Sequence, residues 1–184
     1  MSKLTSFTFI SLDGYFKGPQ EDISWHQHGE EEGSFSAENL KSGNILLFGR
    51  KTFQMMESFW PTQMAFDLFP DVAKGMNGAE KIVFSRTLSR ADWMNTRVIN
   101  QNLADEIRKL KAAKGKDLTL LGSGNLQAQL AEEDLIDEYQ FMLDPVALGS
   151  GTPVFNGIRH HLRLQLIDTR VFRSGSVLLR YKPV

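Results

Sequence analysis

Three times in this chain a short, largely apolar run empties directly into a polar turn led by glycine or serine. Leu46-Leu47-Phe48 runs into Gly49-Arg50-Lys51-Thr52, Ile82-Val83-Phe84 into Ser85-Arg86-Thr87, and Leu118 to Leu121 into Gly122-Ser123-Gly124. Short apolar runs without clean alternation are what strands buried on both faces look like, and such strands belong to parallel sheets covered by helices. Helical patterns follow the turns. Asn102 caps a stretch in which Leu103, Ile107 and Leu110 share one face, with Asp105 in the first turn and Gly115 after the end. Leu126 and Leu130 lie one helical turn apart, and a helix is expected after Gly49 to about Glu57.

The rest of the chain fits this frame. Leu4 to Ser11 reads as a first strand broken by Asp13-Gly14, and Ser34 to Lys41 as a short helix capped by Ser34 or Ser36. The acidic stretch Glu30 to Gly33 before it reads as loop. Arg97 to Ile99 and Ile136 to Leu143 are further strands, and Leu162 to Phe172 and Val177 to Tyr181 form a hairpin through Ser174-Gly175. The expected fold class is α/β: three layers around a mostly parallel sheet, with an antiparallel C-terminal hairpin at one edge. Residues 1–184 carry no repeat, no low-complexity tract and no linker, so one domain is expected.

Charge and composition remove whole classes of function. Lys plus Arg (21) balance Asp plus Glu (22), so neither nucleic acid nor an anionic membrane is an expected partner. With no cysteine, disulfides, thiol nucleophiles and cysteine-based zinc sites are excluded. No segment nears the roughly 18 apolar residues that span a bilayer, and a cytoplasmic location is expected. His26 and His28 flank Gln27 ahead of three glutamates, but both imidazoles share a side only in a strand and this stretch reads as loop. No metal site is expected there or at His160-His161.

The three strand-end turns carry the chemistry. In open α/β sheets ligands bind beyond the carboxyl ends of strands, where helix N-termini offer unpaired N–H groups and a positive dipole. Glycine lets a phosphate approach the backbone, and Arg50, Lys51 and Thr52 add two cations and a hydroxyl. Each turn alone also reads as a simple solvated bend. Gly122-Ser123-Gly124-Asn125-Leu126 lacks the last glycine of a dinucleotide fingerprint, which argues against a Rossmann fold. Three such turns in one small domain point to a long, multiply phosphorylated ligand, and Arg50 with Arg86 would suit a 2′-phosphate.

These motifs resemble the dihydrofolate reductase superfamily, and most closely the riboflavin-pathway reductase domain with its stand-alone bacterial relatives. Gly49-Arg50-Lys51-Thr52-Phe53 looks like the superfamily's Gly-Arg-x-Thr-aromatic signature. Ser11-Leu12-Asp13-Gly14, Phe59-Trp60-Pro61, Leu135 to Glu138 and Pro145 to Gly151 are similar to the riboflavin branch, and the likeness spans nearly the whole chain. The resemblance implies a dihydrofolate-reductase-like fold with NADPH held by Gly49, Arg50, Lys51, Thr52, Ser85, Arg86, Thr87, Gly122, Ser123, Gly124, Asn125 and Leu126. Asp13 inherits a place beside the nicotinamide as catalytic and substrate residue; Glu38 is the nearest candidate for a substrate-gripping acid, and Trp60 a candidate pocket aromatic.

The expected activity is NADPH-dependent hydride transfer to a small heterocyclic substrate, such as 5-amino-6-(5-phosphoribosylamino)uracil or dihydrofolate. The alternative is a catalytically silent nucleotide-binding or regulatory protein on the same fold. A homodimer is expected, because Phe141, Leu143, Val146 and Leu148 in the run Tyr139 to Leu148 offer more apolar surface than one edge of a small sheet should expose, and because the relatives it resembles pair through this part of the sheet.

Overall fold

The computed structural model describes residues 1–26 and 29–184. Its centre is a sheet of eight strands in the order β5-β4-β3-β6-β1-β7-β10-β9. These are β1 (Leu4–Ser11), β3 (Ile45–Gly49), β4 (Lys81–Phe84), β5 (Thr96–Ile99), β6 (Leu118–Leu121), β7 (Glu138–Asp144), β9 (Leu164–Val171) and β10 (Val177–Pro183). The first six run parallel, and β10 returns antiparallel to both β7 and β9. A separate two-stranded ribbon pairs β2 (Tyr15–Lys17) with β8 (Thr152–Pro153).

The two-faced burial read from the apolar runs is visible strand by strand. In β3, Leu46 and Phe48 enter one core, packing against Phe53, Val72, Met76 and Trp93, while Ile45 and Leu47 enter the other with Ile107 and Leu130. The first core lies under α1 (Glu30–Lys41), α2 (Arg50–Phe59) and α4 (Pro70–Gly78); the second lies under α5 (Leu103–Ala112) and α6 (Gly124–Glu132). Each fully buried Phe or Leu contributes about 1.5–3 kcal/mol. Alternation in β1 turns Ser6 and Thr8 toward α6, where both hydroxyls donate to Gln127 Oε1, at 2.7 and 3.0 Å. Because the strands are parallel, the N-termini of α2 and α6 open at the same end of the sheet as the carboxyl ends of β3 and β6.

Three features differ from the sequence reading. Helix α1 begins at Glu30, not Ser34, with Gly29 as its N-cap. Glu30, Glu31 and Glu32 fill its first turn, where negative charge meets the positive end of the helix dipole. Residues 61–80, to which the sequence reading assigns no element, hold α3 (Gln63–Leu68) and α4. Thr62 caps α3 through its hydroxyl, and Pro70 opens α4. Finally, β7 is no edge strand. The C-terminal hairpin covers it, burying Tyr139, Phe141 and Met142 while Leu143, Val146 and Leu148 stay half-buried, and the sheet edge on this side is β9.

Candidate active site

The carboxyl ends of β3, β4, β5 and β6 open onto a cleft of about 1210 Å³. Gly49, Arg50, Lys51, Thr52, Ser85, Arg86, Thr87, Ser123, Gly124, Asn125 and Leu126 all line it. The three strand-end turns, far apart in the chain, therefore converge on one space. Gly122 sits just behind this lining, with φ +58.

Two helix N-termini face the cleft without side-chain caps. Gly49 and Ser123 stand at the N-cap positions of α2 and α6, and neither supplies a capping oxygen. The Ser123 hydroxyl is used elsewhere: it accepts the Gly49 N–H at 2.7 Å and donates to Thr52 Oγ1 at 3.1 Å. First-turn N–H groups of both helices are thus left for an anion, with the dipoles adding positive potential. Close approach fixes the glycines. A Cβ on Gly49 would lie 2.7 Å from Ser123 Oγ, and one on Gly124 would lie 2.7 Å from the Phe16 ring. Ser123 itself takes a left-handed backbone (φ 60, ψ 62) directly after left-handed Gly122. That conformation costs a side-chain-bearing residue roughly 1–2 kcal/mol, here at a ligand-facing turn.

The cations differ in their engagement. Arg50 is exposed and donates to Gln54 Oε1 at 3.2 Å. Arg86 is exposed at a turn closed by Ser85, whose Oγ accepts the N–H groups of Thr87 (3.2 Å) and Leu88 (2.9 Å). Neither arginine forms an ion pair among the described residues. Lys51, by contrast, is paired with Glu21 at 2.6 Å. The sequence reading missed Phe16, Lys17, Asn100, Gln101, Thr152, Asn156, Gly157 and Arg159, which also line the cleft. Asn102 was legible only as a helix cap, through its bonds to the Ala104 and Asp105 N–H groups.

Asp13, Glu38 and Trp60 lie outside the lining of this cleft. The Asp13 carboxylate accepts the Ser11 hydroxyl at 2.6 Å, the Leu148 N–H at 3.0 Å and the Gly149 N–H at 2.7 Å. Those donors, Ser11 first, hold its pKa down at about 2. Such a carboxylate pins the loop after β7 to the end of β1, and at neutral pH it has no proton to give. Glu38 is exposed on α1. Trp60 caps the C-terminus of α2, packs against Phe59 and Phe69, and donates to Met56 Sδ at 3.0 Å.

His26 is buried against the Phe9 ring, with Nδ1 on Asp144 Oδ2. Asp144 Oδ1 accepts the Ser176 hydroxyl at 2.7 Å. His28 lies outside the described residues. Among those described, no three His, Asp or Glu side chains converge as a metal site, and no helix is long and apolar enough to cross a membrane.

Comparison with known proteins agrees with this architecture. Residues 2–178 match the family model of the RibD C-terminal domain, and the chain belongs to that family. It is 31% identical over 173 residues to the uncharacterized protein YyaP of Bacillus subtilis (strain 168), covering 94% of this chain and 90% of YyaP. The fold is similar to that of a Shewanella sp. PV-4 protein provisionally named for riboflavin biosynthesis, with TM-score 0.77, 23% identity and 99% of each chain covered. It is also similar to the diaminohydroxyphosphoribosylaminopyrimidine deaminase/5-amino-6-(5-phosphoribosylamino)uracil reductase of Thermotoga maritima, with TM-score 0.71 and 13% identity. All of this chain aligns there, against 57% of that longer one. The fold is the riboflavin-pathway reductase fold.

Proposed function

We propose that this protein is an NADPH-dependent reductase acting on a small heterocyclic substrate. The observation that carries the reading is the cleft itself: two uncapped helix N-termini and two arginines that form no ion pair among the described residues line one space of dinucleotide size. Gly49 and Gly124 allow the backbone to approach a pyrophosphate, and Arg50 and Arg86 would hold a 2′-phosphate. The bound nucleotide would supply a hydride; the protein's part is to orient it and exclude water. The Thermotoga relative is named for reduction of a phosphoribosylaminouracil, which makes that class of substrate the first to try.

Calorimetric titration with NADPH and NADH tests the cofactor, followed by a substrate panel read at the nicotinamide absorbance. Arg50→Ala should weaken NADPH by about tenfold or more, the loss of one charge-assisted contact, and NADH far less. Equal losses for both cofactors would refute the assignment. A second reading, a catalytically silent nucleotide-binding protein, is favoured by Asp13 being held ionised. NADPH binding without turnover on any panel member would select it.

A homodimer joined through the β9 edge accompanies this proposal, since Leu166, Ile167 and Val171 are exposed there. Light scattering at micromolar concentration reads the mass, and a monomer would rule the pairing out.

A further inference from the structure

Two of the cleft's cations are held by one carboxylate of the same chain. Lys17 on β2 and Lys51 in the first turn of α2 both line the cleft. Glu21 Oε1 receives Lys51 Nζ at 2.6 Å and Lys17 Nζ at 2.7 Å. Glu21 ends a short 3-10 turn, Pro19–Glu21, and its pair with Lys51 spans 30 residues of sequence. The contact therefore links two separate elements.

The backbone is bent to deliver this carboxylate. Gln20 (φ 56) and Glu21 (φ 66) are both left-handed, a conformation that side-chain-bearing residues adopt at a cost. The Gly18 N–H to Asp22 O bond (2.8 Å) and the Asp22 N–H to Pro19 O bond (3.2 Å) close the turn around them. With two ammonium groups on it, the Glu21 carboxyl is held down to about 2, so it is an anion at any physiological pH. Both ion pairs are solvent-facing, with the Glu21 side chain 47% exposed, and such pairs are individually weak and exchangeable. Arg50 and Arg86, in the same cleft, have no such carboxylate partner among the described residues.

We propose that Glu21 is an internal anion that competes with the phosphate groups of a cleft ligand for Lys17 and Lys51. This rests on the dinucleotide reading of the cleft and adds a restraint on affinity within it. Binding then exchanges a carboxylate for a phosphate on the same two ammonium groups, so the net gain from Lys51 is smaller than its position suggests. In the absence of ligand, Glu21 also offsets the repulsion between Lys17 and Lys51.

The test is calorimetric titration of wild type and Glu21→Gln with two probes, NADPH and inorganic pyrophosphate. Glu21→Gln should bind both about 2- to 10-fold more tightly, the range expected for releasing two exposed pairs. A change in net charge alone would give a similar sign, so the same substitution is repeated in a Lys17→Gln/Lys51→Gln background. There the gain should vanish. Equal affinities of wild type and Glu21→Gln, or a gain that persists without the lysines, would overturn the proposal. Pyrophosphate tightening without NADPH binding would uphold the competition and refute the dinucleotide reading. Failure of both probes to bind either protein would overturn both.

Discussion

The Ser123 hydroxyl lies 2.7 Å from the Gly49 amide nitrogen and so ties the carboxyl end of β3 to the N-terminus of α6. The two residues are 74 positions apart, and each is shaped by the other. Ser123 reaches Gly49 from a left-handed backbone, and a Cβ at position 49 would press on that same oxygen, 2.7 Å away.

Gly49→Ala should therefore destabilise the fold by about 1–3 kcal/mol, an overpacking cost, and weaken nucleotide binding. Ser123→Ala alone loses two hydrogen bonds, one from the Gly49 N–H and one to Thr52 Oγ1, about 1–3 kcal/mol together. Adding it to Gly49→Ala should restore part of the stability, since the clashing oxygen is gone. Urea unfolding of the four proteins in a double-mutant cycle checks this; strictly additive losses would show that the two positions do not touch.

Asp13 is expected to act as a pin for the loop after β7. Its carboxyl titrates near 2 in the fold against 3.8 in the unfolded chain. The folded state then prefers the anion, so this stabilisation is complete above pH 3.8 and is lost as pH falls through about 2. Asp13→Asn should speed hydrogen exchange at the Leu148 and Gly149 amides several-fold while leaving the NADPH dissociation constant unchanged. A reaction rate followed from pH 4 to 9 should show no inflection due to Asp13. Loss of such an inflection in the asparagine variant would contradict the pinning role.

Much of the cleft was legible in the sequence because its signals are local. A buried run such as Leu46 to Phe48 announces both a two-sided strand and the glycine turn at its end, and the sheet's parallel order brings those turns together. Phe16, Lys17 and Arg159 carried no such signal. They arrive from single positions, Phe16 and Lys17 by the pairing of β2 with β8, which nothing near Tyr15 or Thr152 announces. Glu30 to Glu32 were misread because acidic runs favour both loops and first helical turns, and only the dipole's direction separates the two. The run Tyr139 to Leu148 was read as an edge because strand order depends on the hairpin, a long-range choice that β7 itself does not encode.

Lys81 offers a test of buried charge. It is fully buried, with Nζ donating to the carbonyls of Met76 (2.8 Å), Asn77 (3.3 Å) and Ala79 (2.7 Å) and lying 4.6 Å from the Trp93 ring. Those carbonyls belong to the end of α4, so the ammonium caps that helix. Lys81→Met should cost about 1–3 kcal/mol at pH 7.5, because three acceptors lose their donor. Burial pushes the Lys81 amine from 10.5 down to about 8. Below pH 8 it is charged in both folded and unfolded chains, and the full cost of burying the charge is present. Between pH 8 and 10.5 the unfolded chain binds more protons, so wild-type stability should rise relative to Lys81→Met. Urea unfolding at pH 7.5, 9 and 10 reads this difference, and a flat or falling gap would refute the shift.

Asp144 joins three segments at the end of β7. It is 2% exposed; Oδ1 accepts the Ser176 hydroxyl at the start of the β10 side of the hairpin, and Oδ2 meets the His26 ring ahead of α1. The Ser176 N–H bonds Ser174 Oγ at 3.1 Å, and Ser174 in turn donates to buried Glu32 in the first turn of α1. A continuous polar path thus runs from α1 through the hairpin to β7 inside a cluster that is otherwise Phe7, Phe9, Phe35, Met142, Phe172 and Leu178. Buried polar groups of this kind cost little when every partner is present and much when one is removed. Asp144→Leu strips the acceptor from both Ser176 and His26 and should cost about 3–5 kcal/mol. Asp144→Asn keeps an oxygen for Ser176 and should cost less, while Ser176→Ala should cost only about 0.5–1.5 kcal/mol. Asp144 does not line the cleft, so Asp144→Asn should leave the NADPH dissociation constant within about twofold, less than a third of a tenfold step in free energy. The local signature is faster hydrogen exchange in the Phe172–Ser176 turn and in the first turn of α1 together. If Asp144→Leu unfolds within about 1 kcal/mol of wild type, or exchange rises in only one of those two segments, the path is not a cooperative unit.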